Sequence, residues 1–259
     1  MDLNNVKQVI SPALKEAGEI LANEYQRFNR TDVTFKTDHQ IVTRFDLLSE
    51  KIIIKKIKEN FPEHGILSEE MGRETGQSEW LWVIDPLDGT TNFTMHNPMW
   101  AISVALFHKE EPVIGMIYNP LAEELFTAAK DQGSYMNSDP IKVSNIQKDQ
   151  IINSFCHGSD LGSVERAVKY YGEQKLNNLD CRQFGSASLE LAYVAAGRIE
   201  TIVIPGAHSW DVAAGVLLVR EAGGKVTDFT GKDWNLNSID MAASNGILHT
   251  DLIKTVSHI

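Results

Sequence analysis

The stretch Asp85-Pro86-Leu87-Asp88-Gly89-Thr90-Thr91-Asn92-Phe93 holds the residue types most suited to chemistry. A proline lies between the two acids and stiffens the backbone that joins them. Such a turn can aim the Asp85 carboxylate, the Leu87 carbonyl and the Asp88 carboxylate toward one point. An all-oxygen set of this kind suits Mg²⁺, a hard cation that keeps several waters for a substrate to displace. Gly89, Thr90 and Thr91 are placed to begin a helix, and the free N–H groups of a helix start receive phosphate. The alternative for the same residues is an ordinary Asp-Gly turn after a strand.

Two further acidic positions extend the pattern. Glu69, after Gly65-Ile66-Leu67-Ser68, offers a third metal ligand; alone, Glu69-Glu70 reads also as a solvated acidic pair. Asp211 opens the apolar run Val212-Ala213-Ala214-Gly215, where it serves either as a helix N-cap or as a ligand. His39, His64, His96, His108 and His157 are scattered without an HxH or HxxxH pair, so zinc is not indicated.

These residues need a framework. Val6, Val9, Ile10, Ala13, Leu14, Ala17, Ile20 and Leu21 recur at three- and four-residue steps and predict a long amphipathic first helix. A second helix is expected after Asp46, with Leu47, Ile53, Ile54 and Ile57 on its apolar side and Phe61-Pro62 ending it. Leu81-Trp82-Val83-Ile84 is a buried strand that feeds the acidic turn. Residues 101–107, 113–118 and 125–128 read as strands of an antiparallel meander. Beyond 150 the pattern alternates: strands at 151–155, 181–184 and 199–204, helices at 164–171, 187–196 and 212–222, then short strands at Val226 and 241–243 and a last helix at 247–256. That alternation predicts an α/β second half. The division is an N-terminal α+β half, 1–145, with most of the acids, and a C-terminal α/β half, 146–259, with Asp211.

Composition narrows the function. With 259 residues, 42% of them hydrophobic, the chain can bury a sizeable core without disulfides. Its formal net charge of −11 makes it a poor sequence-independent nucleic-acid binder, and the basic run Lys51, Lys55, Lys56, Lys58 reads as a solvated helix face. Cys156 and Cys181 read as buried free thiols. Neither a signal-peptide pattern nor an apolar run of ~18 residues is present, and a cytoplasmic, non-membrane protein is expected.

Glu69-Glu70, residues 85–93 and Trp210-Asp211-Val212-Ala213-Ala214-Gly215, in this order and at these separations, resemble the inositol monophosphatase family of Mg²⁺-dependent, lithium-sensitive phosphatases. Gly185-Ser186-Ala187-Ser188-Leu189-Glu190-Leu191 and Arg220-Glu221-Ala222-Gly223-Gly224 share the similarity, which runs from the Lys36 region to Gly224. The resemblance implies a layered αβαβα sandwich of the inositol monophosphatase / fructose-1,6-bisphosphatase type, usually a homodimer. It implies that Glu69, Asp85 and the Leu87 carbonyl hold one Mg²⁺, that Asp85, Asp88 and Asp211 hold a second, and that Glu69 also reaches a weaker third. The amides of Gly89 and Thr90, beside Asp88, would bind phosphate. Glu69 and Thr90 would position the attacking water, with Asp46 hydrogen-bonding the threonine and Lys36 near the metal site. Arg182, Ser186, Ala187, Ile204 and His208 would line the substrate side, each equally open to a structural role.

One position departs from the family pattern. Inositol-specific relatives often carry a glutamate seven residues before the acid matched by Asp211, and here that residue is Ile204, which cannot accept a hydrogen bond. The expected activity is therefore a phosphomonoesterase, inositol-1-monophosphatase-like in mechanism, with its substrate open. Fructose-1,6-bisphosphatase or histidinol-phosphatase activity is the alternative on the same scaffold. A scaffold or regulatory binding protein is the alternative outside enzymes.

Overall fold

A computed structural model describes residues 1–29, 44–147 and 150–259, together with the backbone of an antiparallel pair, β1 (Thr34–Thr37) and β2 (Gln40–Val42). The side chain of Lys36 lies outside the described residues. Helices and sheets alternate in five layers, as the αβαβα expectation required.

The outer layer is α1 (Leu3–Tyr25) and α2 (Arg44–Asn60). Val6, Ile10, Leu14, Ala17 and Leu21 form the buried stripe of α1, and the Asp2 side chain caps its start by accepting from Asn4 N. The second layer is an eight-stranded sheet. It contains β3 (Gly65–Ser68), β4 (Gly72–Glu74), β5 (Trp80–Asp88), β6 (Ala101–His108), β7 (Glu111–Asn119), β8 (Glu124–Ala129), β9 (Ser134–Met136) and β10 (Asp139–Ile141), in the order β10-β9-β8-β7-β6-β5-β3-β4. The meander β6-β7-β8 is as predicted; the β9-β10 hairpin that extends it was not.

The middle layer is a helix pair, α5 (Ala187–Ala195) and α6 (Ser209–Glu221). Both are apolar nearly all round because each lies between two sheets: every residue from Val212 to Val219 is buried. α6 lies so close to β7 that a Cβ on Gly115 would stand 2.4 Å from the Ala214 carbonyl oxygen. The fourth layer is a five-stranded sheet in the order β12-β11-β13-β15-β14, from β11 (Ile152–Phe155), β12 (Asp180–Arg182), β13 (Thr201–Pro205), β14 (Lys225–Thr227) and β15 (Asp240–Ser244). β12 and β13 run parallel to β11, whereas β15 is antiparallel to β13 and β14. The last layer is α4 (Leu161–Leu176) and α7 (His249–Val256), which cover Phe155, Val203 and Ala242.

Cys156 and Cys181 are buried free thiols. Among the described residues, no helix is long and apolar enough to cross a membrane.

α2 corrects one expectation. Leu47 was placed on its apolar side but is 54% exposed, whereas Phe45, Asp46, Ser49, Glu50, Ile53 and Ile57 are buried. The inward face is polar for its first two turns because it abuts the ends of β3 and β5. Ser49 Oγ donates to the Pro86 carbonyl at 2.8 Å, and Glu50 accepts from Ser68 Oγ and Met71 N. Ile53 and Ile57 are buried as the periodicity expects; it fails only in the first turns, where the buried face serves a site.

Candidate active site

Strand β5 sets the acidic turn by breaking its own register. In a regular strand, residues three apart project to opposite faces. Asp85 pairs with Ser103 and Asp88 with Ala101, so one extra residue is accommodated between them. This bulge brings both carboxylates to the face that looks at the middle helices and turns Leu87 outward into the core under α1 and α2. Pro86, which has no N–H to donate to a ladder, lies in the bulge. Leu87 N donates to Asp85 Oδ1 at 3.0 Å and stiffens the turn.

The chain then turns through Gly89 at φ +89°, ψ +36°, into the short helix α3 (Thr90–Thr94). No side chain caps α3, so its first-turn N–H groups are uncovered by a cap. Thr90 Oγ1 lies 3.1 Å from Asp46 Oδ1 and 3.0 Å from the Leu87 carbonyl oxygen; its single proton serves one of them at a time. Asn92 links distant segments, donating at 2.6 Å to the Phe184 carbonyl as well as to the Met99 carbonyl.

The middle helices α5 and α6 answer with their starts. Asp211 lies in the first turn of α6, where its negative charge meets the positive dipole end. It is not the N-cap: His208 occupies that position, without a side-chain capping bond. The start of α5 grips Asp88. Ser186 Oγ and Ser188 Oγ each donate to Asp88 Oδ2 at 2.6 Å, Ser188 N donates to the same oxygen at 2.7 Å, and Ala187 N to Oδ1 at 3.3 Å.

Glu69, Asp85, Leu87, Asp88, Gly89, Thr90 and Asp211 thus line one cavity of about 530 Å³. The Asp85 pKa is raised well above the ordinary carboxylate range, first by burial and then by the charges of Glu69, Asp88 and Asp211. Asp211 is shifted the same way by burial, Asp88 and Glu69. Burial also raises Asp88, against the pull of the serine and amide donors. Among the described residues no three His, Cys, Asp or Glu groups are already gathered in ligating geometry. The acids share a cavity and a repulsive field without forming a closed cage. An oxygen-only, anionic set that raises its own proton affinity is what a hard divalent cation would relieve.

Of the expected substrate-side residues, Ala187 and Ile204 line the cavity. Ser186 is buried against Asp88. Arg182 and His208 are not among the lining residues: Arg182 is exposed on β12 and paired with Asp180, and His208 stacks on Trp210 at 4.8 Å. Met95, Asn97, Gln183 and Phe184 line the cavity and were not singled out from sequence; Cys156 and His157, read there as a buried thiol and a scattered histidine, line it too. The signal available for Gln183 and Phe184 was their place directly before the Gly185-Ser186 motif.

The comparisons with known proteins agree with this architecture. The model of the inositol monophosphatase family matches residues 2–259. A Pasteurella multocida protein named Nus factor SuhB is 37% identical over 248 residues, 93% of this chain and 92% of that protein. A Mesorhizobium japonicum protein named inositol-1-monophosphatase is 36% identical over 258 residues, 96% of this chain and 94% of that one. The solved structure of a Thermotoga maritima IMPase superposes with a TM-score of 0.89 at 33% identity, covering 100% of this chain and 98% of that one. A family model that spans nearly the whole sequence, with relatives at these identities, places the chain in the inositol monophosphatase family.

Proposed function

We propose that the protein is a Mg²⁺-dependent phosphomonoesterase acting on a small phosphorylated metabolite. The observation that carries this reading is the meeting of Glu69, Asp85, Asp88 and Asp211 in one cavity beside the Gly89-Thr90 turn. The donor set fits the ion. Glu69, Asp85 and the Leu87 carbonyl would hold one Mg²⁺, and Asp85, Asp88 and Asp211 a second, with Glu69 reaching a third. Bound there, Mg²⁺ supplies charge neutralisation for the phosphoryl oxygens and a lowered pKa for an attacking water.

The chain's own groups do the rest. The first-turn amides of α3 bind phosphate oxygens and fix the ester in the cavity. When Thr90 donates its proton to Asp46, its oxygen lone pairs face away from that bond and accept from a water, which orients the nucleophile. The Glu69 carboxylate accepts the water's second proton contact. Phosphoryl transfer asks little more of a protein than this positioning and charge neutralisation. Ile204, buried and apolar on the cavity wall, offers no acceptor to a polyol hydroxyl, so preference for inositol esters is not built into that wall.

A panel of inositol phosphates, fructose 1,6-bisphosphate, histidinol phosphate and nucleotide 3′-phosphates, with and without Mg²⁺, tests the reading. Release from at least one ester that needs Mg²⁺ and is lost in Asp88→Asn supports it. Absence of release from a folded protein at saturating Mg²⁺ refutes it for these substrates. The second reading, a regulatory binding protein, draws on the relatives named Nus factor SuhB. It would be favoured if Asp88→Asn left the protein's cellular role intact.

A further inference from the structure

Glu190 is a buried acid bonded to the cavity wall that neither metal binding nor water activation uses. It sits in the first turn of α5, 0% exposed, and among the described residues no arginine or lysine forms a salt bridge with it. Its Oε1 accepts from three donors: Phe184 N at 3.1 Å, Gly185 N at 3.0 Å and Cys156 Sγ at 3.0 Å. Its Oε2 is buried without a hydrogen bond to another described residue. A buried carboxyl is costly, and this one is spent on two consecutive main-chain amides.

Those amides belong to the turn that joins the two halves of the site. On its far side the same turn is held by Asn92, which donates to the Phe184 carbonyl at 2.6 Å. Gly185 stands at φ +82°, and a Cβ there would come within 3.0 Å of Asn92 Nδ2. The next three residues, Ser186, Ala187 and Ser188, supply the four hydrogen bonds that orient Asp88. Without the Glu190 acceptor, two part-buried N–H groups lose their partner, and the turn is free to rotate toward another. Rotation would carry the Asp88 donors with it.

We propose that Glu190 is a positioning residue: by clamping the Phe184 and Gly185 amides it holds the Ser186-Ala187-Ser188 donors, and through them Asp88, in the orientation the site requires. The inference rests on the Mg²⁺-phosphatase reading, in which Asp88 is a metal ligand. The test compares Glu190→Ala with Glu190→Gln, whose side-chain carbonyl still accepts from both amides. In Glu190→Ala, amides in the 184–188 turn should exchange hydrogen at least tenfold faster while those of β13 are unchanged. The half-saturating Mg²⁺ concentration should rise, or kcat fall, by about tenfold or more, with KM for the ester little altered. Glu190→Gln should stay within about threefold of the wild type on each measure. If Glu190→Ala does not fold, Glu190→Asp, which withdraws the carboxylate by one methylene, takes its place under the same readouts. Wild-type exchange and Mg²⁺ response in the truncated variant would overturn the proposal, as would equal damage in Glu190→Gln. An inactive wild type would sink the phosphatase reading alone; exchange in the turn and the affinity for Mn²⁺ measured by electron paramagnetic resonance would still decide the clamp.

Discussion

Replacing Gly89 with alanine should damage stability and activity together, because the segments around Met99 and Gly185 close on this residue. Gly89 stands at φ +89°, where an L-residue pays about 1–2 kcal/mol. A Cβ would also lie 2.9 Å from the Met99 carbonyl oxygen, 3.2 Å from the Gly185 carbonyl oxygen and 3.2 Å from Ser186 Cβ. Two of these are backbone atoms and cannot swing aside. Moving Met99 O strains its 2.6 Å hydrogen bond from Asn92, worth about 0.5–1.5 kcal/mol. The total is about 1.5–3.5 kcal/mol. At ~2.1 cal/mol/K per residue, 259 residues carry an unfolding entropy of roughly 0.5 kcal/mol/K, so Tm should fall by about 3–6 °C. Displacing Gly185 and Ser186 shifts the wall around Asp88, and a misplacement approaching 1 Å costs about 100-fold in turnover. Gly223→Ala is the control: its φ is +91°, but a Cβ there meets nothing within 4 Å. It should lose only about 1–2 kcal/mol and keep its activity. Differential scanning calorimetry and Mg²⁺-dependent phosphate release read the two effects. If Gly89→Ala keeps wild-type Tm and turnover, the close approach is not a constraint and the reasoning fails.

Three further outcomes follow from the same structure. Asp85 and Asp211 bind protons more readily folded than unfolded, so above the ordinary carboxylate pKa they cost stability, and the metal-free protein should gain stability as pH falls through their folded values. Asp211→Asn should therefore stabilise the chelated protein, by on the order of 1 kcal/mol, while reducing the Tm gain on adding Mg²⁺; an unchanged Mg²⁺ response would contradict its role as a ligand. His249 works in the opposite sense. It is buried between Thr227 Oγ1 and Ser244 Oγ, each 2.9 Å from a ring nitrogen, and burial lowers its pKa to about 4. Its contribution is complete above pH ~6.5 and lost as pH falls toward ~4, on the order of 1–3 kcal/mol; urea midpoints at pH 7 and 5 should separate less in His249→Gln than in the wild type. Finally, Ile204→Glu puts an acceptor on the cavity wall and should shift kcat/KM toward polyol phosphates by about tenfold relative to the rest of the panel, at some cost in stability; an unchanged ranking would remove Ile204 from specificity.

Much of the scaffold was readable in advance because its signals are local. The stripe of α1, the meander β6-β7-β8 and the apolar α6 follow from periodicity and turn residues. The β9-β10 hairpin did not, because Ser134–Met136 and Asp139–Ile141 are short, half-exposed strands without clear alternation. The polar inward face of α2 was misread for a different reason: Asp46, Ser49 and Glu50 are buried by what they bond, and hydropathy does not record bonding.

By itself, the sequence determined the chemistry on offer: acidic oxygens at Glu69, Asp85, Asp88 and Asp211, a glycine and a threonine beside them, and an apolar residue at position 204. These are matters of residue type, and they survive any uncertainty in geometry. Only the tertiary structure decided how they meet. The bulge in β5 turns Asp85 and Asp88 to one side, and the start of α5 fastens Asp88 from about a hundred residues away. It also drew Gln183, Phe184 and Cys156 onto the cavity wall and left Arg182 and His208 off it. Those outcomes depend on a one-residue register shift and on the packing of two helices between two sheets. Both are settled by many weak contacts between distant segments, which no local pattern encodes.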